Sequence, residues 1–314
     1  MSKMADYQAR VGFWEALRGT CCGTEIFFRL RKNSTLRILF HLFFMALLCS
    51  AGILLGQLNR LLPEVRQLEQ FFIAEFGSEF QLSAAGIVPE KAPERARALS
   101  LPFDGKLFYV PRGEAGVRLP PEQAEFLNYL AVWSPGYFVS AQHYEKDSWL
   151  VSILRPAEEG GAISMFSPEK HYLTNSGLVE LLDSKLDNGY SWPVKETATQ
   201  SFTALFGSLK IGMGILLFGM QLVGILALAL FYTGLFAGMF RLTSSRRLQT
   251  LTFGEFWKIG VYAGFPVMLV ASCFPAFDLP YLSYSTVFMI GLVVYWLVAV
   301  ARVERAGVSG SQEG

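Results

Sequence analysis

Residues 202–240 read FTALFGSLKIGMGILLFGMQLVGILALALFYTGLFAGMF, and this stretch decides the architecture. Residues 211–240 contain no Asp, Glu, Lys or Arg. At ~1.5 Å per residue they form a helix of roughly 45 Å, longer than the ~30 Å hydrocarbon core of a bilayer. Two spans in this stretch would leave no room for a polar turn and would place Arg241, Arg246, Arg247 and Lys258 outside. One long span places them inside with the basic N-terminus and with Arg302 and Arg305, as the positive-inside rule requires. The surplus length tilts or projects outward and carries Lys210 toward the segment before it.

Charge along the chain supports that orientation. Net charge is only +1, but residues 1–37 hold seven Lys/Arg against three acids, residues 59–201 hold thirteen against nineteen, and the remainder holds seven against four. A basic end, an acidic middle and a basic end fit a chain whose termini face the cytoplasm. Hydrophobic residues make up 52%, charged residues 17%, and mean hydropathy is +0.34, a composition suited to a partly embedded protein.

The first apolar run, residues 38–58, is long enough to span and follows 37 residues that do not resemble a cleavable signal peptide. Leu48 before Cys49 argues against a lipidated cysteine. In residues 11–31, Val11, Phe13, Trp14 and Leu17 share a face beside Glu15 and Arg18. Phe27 and Phe28 then lie among Arg29, Arg31 and Lys32. Such a segment either lies in the headgroup layer or packs on the bundle. His41 sits within one turn of Arg37 and is expected at the membrane interface.

Residues 59–201 are the one water-facing domain large enough to bury a core. Pro63 is expected to open a helix carrying Val65, Leu68 and Phe72, and Gly77 to stop it. Residues 80–88 suggest a strand. Residues 99–103 and 106–110 flank Asp104-Gly105, the signature of a type I′ hairpin. After Pro120-Pro121 a short helix is expected over 122–131, with Phe126, Leu127 and Leu130 inward. Residues 137–142, 149–154 and 162–166 read as strands, and Thr174-Asn175-Ser176 caps a helix over 177–186 that Asn188-Gly189 closes. The sum is a small α+β domain with a largely antiparallel sheet of four or five strands. Its core is expected to contain Val65, Leu68, Phe72, Leu107, Phe126, Leu130, Val151, Ile153, Leu178 and Leu181. The domain has no cysteine and no Asn-x-Ser/Thr acceptor, which leans toward a bacterial inner membrane.

Two further spans follow, residues 259–277 and 281–301, separated by Asp278-Leu279-Pro280. Trp257, Tyr281 and Tyr284 mark their boundaries, and Pro266 is expected to kink the third span. Gly234-x-x-x-Gly238 and Gly260-x-x-x-Gly264 put small residues on helix faces. The fold class is therefore an α-helical membrane protein: four transmembrane helices with an α+β extracytoplasmic domain inserted between the first and second. The segments are a basic amphipathic cytoplasmic segment 1–37, spans 38–58 and 202–240, a cytoplasmic loop 241–258, spans 259–277 and 281–301, and a cytoplasmic tail 302–314.

Catalytic patterns are not evident. His41, His143 and His171 are too scattered to propose a metal triad, and no metalloprotease, nucleophile-elbow or phosphate-loop motif occurs. Glu255 and Asp278 fall at span ends, so the spans carry no embedded acid of the kind pumps use. Gln221, well inside the long span, is expected to hydrogen-bond a neighbouring helix. Glu158-Glu159 beside Gly160-Gly161 reads as a solvated turn, and Cys21-Cys22 as an inert pair.

Leu251-Thr252-Phe253 followed by residues 257–266 (WKIGVYAGFP) resembles a segment of a bacterial four-span inner-membrane protein family, a domain of unknown function. Phe13–Leu17, Phe28-Arg29 and Tyr172-Leu173-Thr174-Asn175 fit the same family. The C-terminal spans are also distantly similar to Yip-type proteins of membrane trafficking. The resemblance implies the four-span layout and no catalytic residue. The expectation is a non-enzymatic integral membrane protein that binds, senses or scaffolds, with no catalytic, cofactor or metal residues. The alternative is an accessory subunit of a transporter. Its expected partners are the lipid bilayer and other membrane proteins or itself, through small-residue helix faces, and not nucleic acid.

Overall fold

The computed structural model describes residues 11–102, 104–114, 129–145, 148–154, 169–183, 196–243, 251–279 and 282–309. It divides into a helical unit, Met1–Leu61 with Gly212–Gly314, and a sheet unit, Leu62–Ile211. Four helices are long and apolar enough to cross a membrane, and the sheets lie in sequence between the first and second.

The helical unit begins with α1 (Phe13–Cys22) and the single turn α2 (Phe27–Leu30). Val11, Ala16, Phe27 and Leu30 are fully buried in the bundle core, while Trp14 stays exposed. Of the two readings left open for this segment, packing on the bundle is the one the side chains adopt. The first long helix is α3 (Thr35–Phe76), followed much later by α5 (Phe202–Thr243), α6 (Phe253–Phe277) and α7 (Tyr284–Ser309); α4 (Asn175–Asp183) belongs to the sheet unit. Helix α6 starts six residues before the expected span, because Thr252 and Glu255 form a capping box: each side chain bonds the other's main-chain N–H. It ends at Asp278, whose left-handed conformation (φ 56°) directs its N–H to the Phe274 carbonyl.

Helix α6 is the centre of this unit. Every residue from Ile259 to Phe265 is buried, packed with Phe288, Leu292 and Trp296 of α7. Two close approaches depend on glycine. A Cβ at Gly260 would overlap the Trp296 ring, and one at Gly56 would overlap the Ala276 carbonyl. Arg60 ties the same end of α6 down, donating to the Pro275 carbonyl at 3.0 Å and pairing with Asp278 at 2.5 Å.

Pro63 does not open a new helix as expected; it lies inside α3. An internal proline removes one backbone hydrogen bond and costs ~3 kcal/mol. Forty-two residues of helix with buried side chains on both sides, Ile53 before and Val65 and Phe76 after, offset that cost. Gly77, at φ 89°, stops the helix.

The sheet unit contains two sheets, where the sequence suggested one. The region expected as a single strand is a hairpin of β1 (Glu79–Ser83) and β2 (Gly86–Pro89), and β9 (Ala198–Ser201) pairs with the other edge of β1. The larger sheet has six strands in sequence order: β3 (Arg97–Leu101), β4 (Gly105–Tyr109), β5 (Tyr129–Ser134), β6 (Tyr137–Glu145), β7 (Ser148–Leu154) and β8 (Glu169–Thr174). The β3/β4 hairpin exists, but not as a type I′ turn. Among the described residues of this turn only Asp104 adopts positive φ, and Gly105 is already the first residue of β4, paired with Leu101.

The largest correction concerns residues 122–131. Tyr129–Ser134 is a strand, β5, and it pairs with β4 in parallel. A parallel neighbour requires a long crossover, which the chain between Tyr109 and Tyr129 provides. Leu130 is a core residue as expected, but of a sheet. Residues 121–128, 162–166 and 184–190, where further elements were expected, lie outside the described residues. Glu169–Thr174 carried no strand expectation and pairs along β7.

Alternation along β5 shows how the sheet is covered on both sides. Leu130 and Val132 join Val139, Trp149, Val151, Leu178 and Leu182 beneath α4 (Asn175–Asp183), whose start Thr174 caps through Gly177 N–H at 3.2 Å. Trp133 points the other way, onto Phe72, Phe76, Tyr109 and Phe202. Burial pushes the Tyr109 phenol above its ordinary range.

Candidate functional site

Three polar residues from distant parts of the sequence meet inside the helical unit. Asn33 ends the loop before α3, His41 lies in its second turn, and Tyr262 lies mid-α6. All three are buried. Asn33 Nδ2 donates to the Tyr262 hydroxyl at 2.8 Å, and His41 Nδ1 lies 2.9 Å from the same oxygen. Lys258 Nζ donates to the Asn33 main-chain carbonyl at 2.8 Å. The Asn33 side chain also brackets the Val11 backbone, accepting from its N–H and donating to its carbonyl at 3.4–3.5 Å. The loop, α3 and α6 are thereby joined around one hydroxyl.

The protonation of this cluster follows from its geometry. Tyr262 has one proton and receives one hydrogen bond from Asn33. If it also received one from His41, its own proton would be buried without an acceptor. The arrangement that gives the Tyr262 proton an acceptor has the hydroxyl donating to Nδ1, which leaves the neutral ring's proton on Nε2.

His41 also borders an open groove of about 950 Å³, with Gly12, Phe13, Ser34, Arg37 and Phe40. Phe13 meets the imidazole edge-on at 5.7 Å. Ser34 is the N-cap of α3, accepting from Arg37 N–H at 3.4 Å. The Arg37 side chain is half-buried, and no carboxylate pairs with it among the described residues.

Expected at the membrane interface from its position, His41 is buried, with the Tyr262 hydroxyl as the partner of its Nδ1. His143 stacks edge-on against Trp149 on β6, His171 is exposed on β8, and neither approaches the other histidines. Among the described residues no cluster of His, Cys, Asp or Glu could hold a metal ion. Gln221 makes no interhelical hydrogen bond among the described residues, which corrects the role expected for it. Cys21 and Cys22 are exposed, Cys49 is buried and Cys273 is exposed. Partial burial, with Cys22 adjacent, pushes the Cys21 thiol above its ordinary value and away from thiolate chemistry. Glu158-Glu159 lies outside the described residues.

Lys210 reaches Glu69 at 2.6 Å within the sheet unit, both side chains being largely buried. Sequence reasoning named Lys210 but missed Glu69, Asn33 and Tyr262 as polar partners. A tyrosine in the otherwise apolar run 259–265, and an asparagine directly before a span, were the available signals.

No family model, curated protein or solved structure matches the chain.

Proposed function

We propose that the chain is a multi-pass protein of the bacterial cytoplasmic (inner) membrane that serves as a non-enzymatic binding, sensing or scaffold protein. Its termini and residues 241–258 face the cytoplasm, and residues 59–201 face outside. The distribution of Lys and Arg supports this orientation, as does the resemblance of residues 251–266 to a four-span family.

One observation carries the functional reading. Helices α3 and α5 each begin in one unit and end in the other without a break in helix. Inside the sheet unit the two helices are clasped to each other: the Phe72 ring of α3 packs against Phe202 and Phe206 of α5, and Glu69 pairs with Lys210. Two clasped helices pass tilt or rotation along their length, whereas a Gly/Ser linker would not. Ligand binding at the outer domain would thus be felt in the bundle.

Two measurements test this. A cysteine introduced at Ser245 should resist an impermeant maleimide in intact cells, and labelling there from outside overturns the topology. A flexible Gly-Ser insertion between Ile211 and Gly212, beyond Lys210, should fail to complement the growth or stress phenotype of a deletion strain. Full complementation, with the domain folded and exposed, overturns the coupling.

The reading as an accessory transporter subunit draws on a different observation. Ser50 Oγ, Gln57 Oε1, Tyr284 OH and Trp296 Nε1 are buried in the helical unit without hydrogen-bond partners among the described residues. Such atoms call for water or for polar groups of another chain. Co-purification of a transporter from native membranes would favour it.

A further inference from the structure

We propose that the groove at the start of α3 binds one anionic phospholipid, its phosphate on Arg37 and His41 and an acyl chain along Phe40 and Phe44. The proposal rests on reading α3 as membrane-spanning with Arg37 at its cytoplasmic edge.

The polar end of the groove is cationic and uncompensated. Arg37 offers a planar guanidinium whose fork matches phosphate oxygens, and no carboxylate among the described residues occupies it. The capped N-terminus of α3 adds its dipole to the same end. His41 adds a donor. With Nδ1 engaged by Tyr262, its Nε2–H has no acceptor among the described residues, and the ring lines the groove although the residue is only 4% exposed. Asn33 and Tyr262 fix the imidazole in place, so this donor is set before any ligand arrives.

The other end is apolar and open. Leu36 (79% exposed) and Phe40 (57% exposed) follow each other on one helix face, and the Phe44 ring packs against Phe40, tilted, at 4.7 Å between centroids. A charged end joined to an apolar stripe of three turns matches an amphiphile. A free anion would leave the stripe uncovered, and a zwitterionic lipid such as phosphatidylcholine would bring a second cation, its choline, beside Arg37. An anionic phospholipid satisfies both ends.

The test is native mass spectrometry of the full-length protein released from detergent, titrated with phosphatidylglycerol and with phosphatidylcholine of the same acyl chains. Wild type should retain one phosphatidylglycerol in preference to phosphatidylcholine. R37Q should lose roughly tenfold of that preference. L36E, at an exposed position that folding tolerates, should lose it by repelling the phosphate, and serves if R37Q does not fold. R241Q, which removes an exposed cation expected on the same membrane face, should change nothing. Loss in either folded groove variant with R241Q unchanged supports the site. An unchanged preference in both, an equal loss in R241Q, or displacement of the lipid by glycerol 1-phosphate overturns it. A wrong topology shows separately, as outside labelling at position 245.

Discussion

Helices α5 and α6 are both apolar and both long enough to span, yet they are used in opposite ways. The most apolar window of α5 has mean hydropathy 2.4 and is 11% buried; that of α6 has 1.7 and is 61% buried. The more hydrophobic helix is the less buried one. In water this would be perverse; under the membrane-spanning reading proposed above, lipid removes the penalty for exposing leucine and leaves packing and hydrogen bonding to decide which helix is central. Helix α6 has the small residues that let neighbours approach and the tyrosine that binds them. Helix α5 has glycines too, but a Cβ at Gly234 or Gly238 would meet nothing within 4 Å. Within one chain, the small residues of α6 meet a neighbouring helix and those at Gly234 and Gly238 of α5 do not.

The comparison breaks most readily at Phe265, which is fully buried in α6. F265A should lose about 3–5 kcal/mol in reversible unfolding from mixed micelles, whereas L235A on the exposed face of α5 should change stability by less than about 0.5 kcal/mol. Equal effects would mean that burial within the bundle does not rank these helices.

Bulk should discriminate next. G260L forces a side chain into the Trp296 ring and should cost about 3 kcal/mol, while G234L meets open space and should be neutral. If G234L is the more damaging, a second chain covers α5, and cross-linking from position 234 would identify it.

A third contrast is polar. Y262F removes the hydroxyl shared by Asn33 and His41, leaving buried groups unpaired, and should cost about 2 kcal/mol. T233A in α5 loses only bonds to that helix's own backbone, at Ala229 and Leu230, and should be nearly silent. The smallest effect sharpens the picture of how α5 is held. Its first nine residues contain buried Phe202 and Phe206 and the Lys210–Glu69 pair. K210M strands the Glu69 carboxylate and should destabilise the sheet unit by about 1 kcal/mol, less than a fully buried pair because both ends retain some water.

Long periodic or charge-free runs were legible because a bilayer imposes a minimum length that composition alone can meet. Strands were legible over 137–142 and 149–154, which the structure extends to Tyr137–Glu145 and Ser148–Leu154, and Gly77 and Thr174 were legible from their local roles as stop and cap. Residues 129–134 were not. YLAVWS carries no alternation because both faces of β5 are covered, and a short apolar run buried on both sides looks the same as a helix segment. Pro63 misled for a related reason: its local preference for a helix start yields to packing on either side of it.

The sequence by itself determined the four long apolar helices, the sheet-bearing segment between the first and second, and the scatter of its histidines, since these depend on composition and local spacing. Only the tertiary structure decided that α6 and not α5 is the centre, that Glu69 meets Lys210, and that Asn33, His41 and Tyr262 share one hydroxyl. Those residues are up to 229 positions apart. Their meeting depends on which helix faces approach closely, and that is set by the matching of side-chain shapes across the whole bundle, which no single stretch of chain encodes.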